Sequence, residues 1–123
     1  MTEFAGRFAA ALRRLEQTRE TSEIASLFAP DATISNPLIE HRHGGGETAE
    51  RFWTAYRGSF AEIESTFRHI VEADGTAFLE WSSEGTMAGD GETFRYGGVT
   101  VLEHDGERIS AFRTYFDTAK LSG

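Results

Sequence analysis

Cysteine is missing from the 123-residue chain. Disulfides, thiolate nucleophiles and thiolate metal sites are thereby excluded, and a reducing interior is the compartment that fits. Positive charge is scarce: 12 Lys and Arg stand against 20 Asp and Glu, for a formal charge of −8. Such a surface repels phosphate, so neither nucleic acid nor an anionic membrane is expected as a partner. The short runs "LRR" at 12–14 and "HRH" at 41–43 are the only local departures. A long uncharged apolar run is missing too. Glu3, Arg7 and Arg13 interrupt "MTEFAGRFAAALRRL", which removes the apolar core of a signal peptide, and the protein is expected in the cytoplasm. With no repeat, no low-complexity tract and no linker-like change of composition, residues 1–123 are expected to form one domain.

What is present is apolar and aromatic. Apolar residues make up 39% of the chain and ten of them are Phe, enough to offset the entropy of ordering. Phe4, Phe8, Leu12 and Leu15 recur at three- and four-residue steps, so the N-terminal stretch reads as an amphipathic helix with Thr2 as its N-cap. "TSEIASLFA" reads as a second helix, capped by Thr21, with Ile24, Leu27 and Phe28 buried and Pro30 ending it. "DATISNP" is short and β-branched, hence a brief strand running into Pro37. Residues 38–46, "LIEHRHGGG", read as a loop, since three glycines remove propensity and packing alike. A third helix follows in "ETAERFWTAYRGSF", with Ala49, Phe52, Trp53, Tyr56 and Phe60 as its inner stripe.

From Ile63 the period changes to two. Four strands fit, at 63–73, 76–87, 93–104 and 108–117, with turns at "ADG", "AGDGE" and "HDGE". Three helices followed by an antiparallel meander form an α+β pattern in which helices cover one sheet face. The last strand, "RISAFRTYFD", offers two usable faces: Arg113, Tyr115 and Asp117 on one, Phe112, Thr114 and Phe116 on the other. A concave face that packs on helices must be mainly apolar, so the second set is expected inward. "AFLEWSSEG" agrees, with Leu79, Trp81 and Ser83 inward and Glu80 outward. Glu80 and Arg113 then share the outer face, as an ion pair or as dimer contacts.

The order of elements, together with "LFAPDATISNP", "GGGETAERFWTAY", "GGVTVLEHDGERI" and "RTYFD", resembles the SnoaL-like polyketide cyclases of the nuclear transport factor two superfamily, from Phe4 to about Leu121. Ketosteroid isomerases and limonene epoxide hydrolases are similar to it too. The resemblance implies a cystatin-like cone, with three N-terminal helices packed on a strongly curved mixed β-sheet and a pocket at the open end. It also implies a homodimer joined through the outer sheet face. No single reaction is implied, because the superfamily holds isomerases, cyclases, hydrolases and members without catalysis. The epoxide hydrolase apparatus would fall on Ile34, Asn36, Trp81, Ser83 and Thr114; only Asn36 is retained, so that activity is not expected. For the cyclases the resemblance implies an aspartate near the end of the last strand, and Asp117 is the acid there.

His69 alternates with Phe67 and Val71 in "STFRHIVEA" and is expected inward, as a general base or as a hydrogen-bonded core histidine. Tyr96, on the face of Phe94 and Thr100, either donates to a ligand oxygen or keeps its hydroxyl at the rim. His69, Tyr96 and Asp117 are therefore the candidate catalytic groups. Asn36, Trp53, Tyr56, Phe67, Trp81, Ser83, Phe112, Thr114 and Phe116 are candidate ligand contacts, with Asn36 alternatively satisfying the turn before Pro37. His41 and His43 have no nearby acid pattern, so no metal is expected, and "GGGE" lacks the Lys of a phosphate loop, so no cofactor follows. The expected function is binding of a small apolar, carbonyl-bearing ligand, with isomerase or cyclase chemistry. The alternative is a non-catalytic ligand-binding or dimerisation domain.

Overall fold

The computed structural model describes residues 3–36, 39–43 and 46–116, with the side chains of 3–35 and 49–116. Helix α1, Glu3–Thr18, buries Phe4, Phe8, Leu12 and Leu15 on one face, as a period of 3.6 requires. Thr2, read as its cap, lies outside the described residues.

Helix α2, Ser22–Ala25, is a single turn and shorter than the sequence suggests. Leu27 leaves it and Phe28 enters strand β1, Phe28–Asn36, with Pro30 inside the strand. The cause is tertiary: Ile109 N–H donates to the Leu27 carbonyl at 2.7 Å and Phe28 stands opposite Ile109, so the sheet captures residues that helical spacing assigns to α2. Thr21 makes no side-chain cap; its hydroxyl instead donates to the Glu50 carboxylate.

Strand β2, Ile39–His43, replaces the loop expected at 38–46. It pairs antiparallel with β1 at the sheet edge, Ile34 opposite Arg42, and a strand edge supplies hydrogen bonds that local propensity does not report. Helix α3, Gly46–Gly58, comes after these two strands, so α1 and α2 alone precede the sheet, not three helices.

Strands β3, Phe60–Ala73, β4, Thr76–Met87, β5, Thr93–His104, and β6, Ile109–Phe116, form the expected meander. Asp74 and Gly75 close its first turn with φ of 53° and 76°, the pair of positive angles that a two-residue hairpin favours. The six strands lie in the order β2-β1-β6-β5-β4-β3. β1 runs parallel to β6 while the other ladders are antiparallel, which makes the sheet mixed. Register shifts interrupt four of the ladders, and such bulges bend a sheet around its helices.

Leu79, Leu102 and Ile109 from the sheet meet Phe8 and Leu15 of α1 in the core. On the last strand Phe112 and Thr114 are buried while Tyr115 is 54% exposed, so the apolar face is the inner one. Arg113 pairs on the outer side with Glu103, Nη1 to Oε2 2.6 Å, and not with Glu80. Asp117 lies outside the described residues.

Candidate functional site

Between the helices and the inner sheet face lies a cavity of about 360 Å³. α1 contributes Phe8 and Leu12 to its wall, and α3 contributes Phe52, Trp53 and Tyr56. From the sheet come Phe67, Trp81 and Ser83. The last two strands, β5 and β6, supply Tyr96, Phe112, Thr114 and Phe116. The alternation read from the sequence thus brings these residues together. Asn36 is known by its backbone alone, opposite Ile39, and its side chain is outside the described set.

Edge-on packing fixes one wall. The Tyr96 ring centroid lies 5.2 Å from that of Trp81 and 5.3 Å from that of Phe116, both near perpendicular, as ring quadrupoles prefer. Trp81 Nε1 donates to Thr100 Oγ1 at 3.0 Å, and Thr100 Oγ1 is 2.8 Å from Thr114 Oγ1. These inward polar groups are satisfied among themselves. Gly98 clears the space for the indole: a Cβ there would stand 2.8 Å from Trp81 Cζ2 and 2.2 Å from the Tyr115 carbonyl oxygen.

His69 is not in the cavity, contrary to the alternation with Phe67. Phe67 faces Trp81 and His69 faces Glu80, so two steps of β3 match one step of β4. The extra residue, Arg68, turns His69 to the outer face, where its side chain is 76% exposed and Nδ1 lies 2.7 Å from Glu80 Oε1. Ile70 takes the inward position after Phe67, and Val71 is exposed.

A carboxyl absent from the sequence reading lies behind the cavity wall instead. Glu16, on α1, is only 6% exposed. Its Oε1 accepts the Ser65 N–H at 2.9 Å, and its Oε2 accepts the Tyr56 hydroxyl at 3.1 Å and the Ser65 hydroxyl at 2.5 Å. Ser65 Oγ is also 2.6 Å from Ser83 Oγ. Buried Arg57 turns its guanidinium to backbone carbonyls, Nε to Glu16 O at 3.2 Å and Nη1 to Phe60 O at 2.8 Å. A signal for Glu16 existed: it continues the four-residue series Phe4, Phe8, Leu12. Ser65 likewise alternates between Ile63 and Phe67.

Burial raises the Glu16 carboxyl above its ordinary value, against the Ser65 and Tyr56 hydrogen bonds and the Arg57 charge, which pull it down. Burial, and then the Glu16 charge, push Tyr96 up to about 12 and Tyr56 well above its usual range. Desolvation lowers Arg57, with Arg19 adding to the effect. The site therefore offers two neutral phenols and one reluctant carboxylate. Among the described residues no cluster of three His, Asp or Glu is placed to hold a metal, and no helix is long and apolar enough to cross a membrane.

No curated protein matches the chain. Solved structures do. An NTF2-like protein from Anabaena variabilis superposes with a TM-score of 0.82 at 21% identity, covering 94% of this chain and 87% of the other. A protein of ketosteroid isomerase-like fold from Catenulispora acidiphila, in complex with trimethylamine, gives 0.80 at 18%, covering 92% and 87%. An LEH-like epoxide hydrolase from M. tuberculosis gives 0.74 at 17%, covering 94% and 84%. Identities this low establish the fold and leave the activity open. The model of the SnoaL-like domain matches residues 6–112, nearly the whole span of the cavity-forming elements, and the chain belongs to the SnoaL-like domain family.

Proposed function

We propose that the chain binds an apolar small molecule bearing one oxygen function, a carbonyl or its enol, and acts on it as an isomerase or cyclase. Tyr96 is the observation that carries this reading. It lines an aromatic cavity, and its hydroxyl meets no hydrogen-bond partner among the described residues. A phenol held neutral by burial is a donor waiting for an acceptor. A ligand carbonyl would take that hydrogen bond, which strengthens as charge grows on the oxygen in an enolate-like state. The cavity size and its few polar groups suit a small, mostly apolar ligand. His69, on the outer face, takes no part. Trp81, Ser83 and Thr114 bring neither carboxylate nor guanidinium, which speaks against activating water on an epoxide.

Titration with β-tetralone, a bicyclic ketone, followed by tryptophan fluorescence, tests the reading. The wild type should bind, and Tyr96→Phe should bind roughly three- to tenfold more weakly, the worth of one net hydrogen bond. Absence of binding by the wild type would sink it. Mass spectrometry of the purified protein would then look for the natural ligand.

The outer sheet face favours a second reading, a domain that associates with a second copy of itself. Val71, Phe78, Val99 and Tyr115 are all exposed there, with Val71 opposite Phe78 and Val99 opposite Tyr115. Exposed apolar residues clustered on one face suit an isologous interface, in which the same patch meets itself. The cytoplasm remains the compartment we propose, on the lack of cysteine.

A further inference from the structure

We propose that Glu16 exchanges a proton with an acidic hydroxyl, a phenol or an enol, bound in the cavity, acting through Ser65 and Ser83, and with solvent through an outer cleft. This rests on the ligand reading above and narrows the ligand class. Ser65 Oγ stands 2.5 Å from Glu16 Oε2 and 2.6 Å from Ser83 Oγ, a continuous chain of oxygens. Both serines line the cavity, whereas Glu16 lies behind them. On their other side, Glu16 and Ser65 border a second, more open cleft of about 730 Å³. One carboxyl thus separates an apolar chamber from a polar, open one.

The hydroxyl inventory sets the direction of the chain. Ser65 has one O–H. Donated to Glu16, it leaves Ser65 to accept from Ser83, and Ser83 to accept from the ligand. In the transfer the ligand O–H bond breaks and its proton goes to Ser83, the Ser83 proton to Ser65, and the Ser65 proton to the Glu16 carboxylate. The electron pair stays on the ligand oxygen, where Tyr96 donates to it. The net change is one proton from ligand to Glu16, and release to water in the cleft resets the carboxylate.

The surrounding charges keep that carboxyl titratable. From α3, Tyr56 donates to it, while Arg57 lies beside it with its guanidinium committed to carbonyl oxygens. Arg13 on α1 and Arg19 just after it favour ionisation from the cleft. Glu62 and Glu64 on β3 and Glu84 on β4 oppose it, and Tyr96 on β5 faces it from the cavity side. Three hydrogen-bond donors on one buried carboxyl stabilise the charged form against desolvation.

Two measurements test the proposal. In ligand-free protein labelled with carbon-13 at the glutamate carboxyls, Glu16 should titrate reversibly above the ordinary carboxyl range, and Ser65→Ala should move it higher. A Glu16 signal that never moves while the chain stays folded would reduce it to a structural pin and overturn the proposal. In the second, para-nitrophenol is bound in the cavity and its yellow phenolate is followed from acid to neutral pH. The wild type should show two coupled steps and Glu16→Gln a single one; Ser83→Ala, which leaves the Glu16 hydrogen bonds in place, should keep both steps but form the phenolate more slowly after a pH jump. A wild-type titration identical to that of Glu16→Gln, or an unchanged rate in Ser83→Ala, would overturn the relay even while β-tetralone binds. Failure of both probes to bind would instead overturn the ligand reading and the ligand half of this proposal, and a titrating Glu16 would still support exchange through the cleft.

Discussion

Phe67 and His69 face opposite sides of the sheet although only Arg68 separates them. Phe67 lines the cavity, and His69 Nδ1 lies 2.7 Å from Glu80 Oε1 outside. The bulge between them converts an apparent general base into half of an exposed hydrogen-bonded pair. Such pairs contribute little, because solvent screens them and ordering two side chains costs entropy.

His69→Ala should therefore change unfolding stability by roughly 0–1 kcal/mol and leave binding of β-tetralone unaltered. Thermal denaturation and the fluorescence titration check both halves. Loss of binding would mean that His69 reaches the cavity after all.

Glu16 leads to a prediction of opposite sign to the usual carboxylate. Its raised value means that the folded chain holds a proton the unfolded chain has already released. The stability this group contributes is full below the unfolded carboxyl range and is lost as pH rises through the folded value. Glu16→Gln has no such titration. Its stability relative to wild type should climb across that window, measured by denaturant unfolding at a series of pH values. A difference independent of pH would contradict the assignment.

Gly98→Ala places a Cβ 2.2 Å from the Tyr115 carbonyl oxygen and 2.8 Å from Trp81 Cζ2. The carbonyl belongs to the β5–β6 ladder and cannot move without disturbing the pairing of Gly98 with Phe116. The expected loss is roughly 1–3 kcal/mol, as for overpacked cores, with weaker binding in the cavity because Trp81 is displaced. Urea unfolding gives the first number and the fluorescence titration the second. An unchanged midpoint would show that the strands yield more easily than this geometry allows.

Tyr115→Glu addresses the outer face. If a second copy covers Val71, Phe78, Val99 and Tyr115, a carboxylate placed at Tyr115 faces its own symmetry mate or apolar surface and should turn a dimer into a monomer. Light scattering at micromolar concentration reads the change, and β-tetralone binding should persist. A wild type that is monomeric throughout would remove this interface.

Local periodicity accounts for what was legible. The stripe Phe4, Phe8, Leu12, Leu15 defines α1, and the alternation in β4 and β6 places Trp81, Ser83, Phe112, Thr114 and Phe116 on the inner face. Adjacent side chains on a helix or strand have fixed relative directions, so each set moves as one. The same spacing sets Glu16 in line four residues after Leu12.

The chain itself, then, determined the four strands of the meander, the helical stripe of α1 and the inner faces of β4 and β6, because those depend on neighbours within a few residues. Only the tertiary structure decided that Phe28 leaves α2 for β1, that β2 forms on the edge of β1, and that the bulge at Arg68 turns His69 outward. Each depends on hydrogen bonds offered by a partner strand, which no local spacing encodes. The meeting of Glu16 with Ser65, 49 residues away, and of Ser65 with Ser83, 18 residues further, is of the same kind. Desolvating a carboxyl among hydroxyls requires the packed fold to bring the three together.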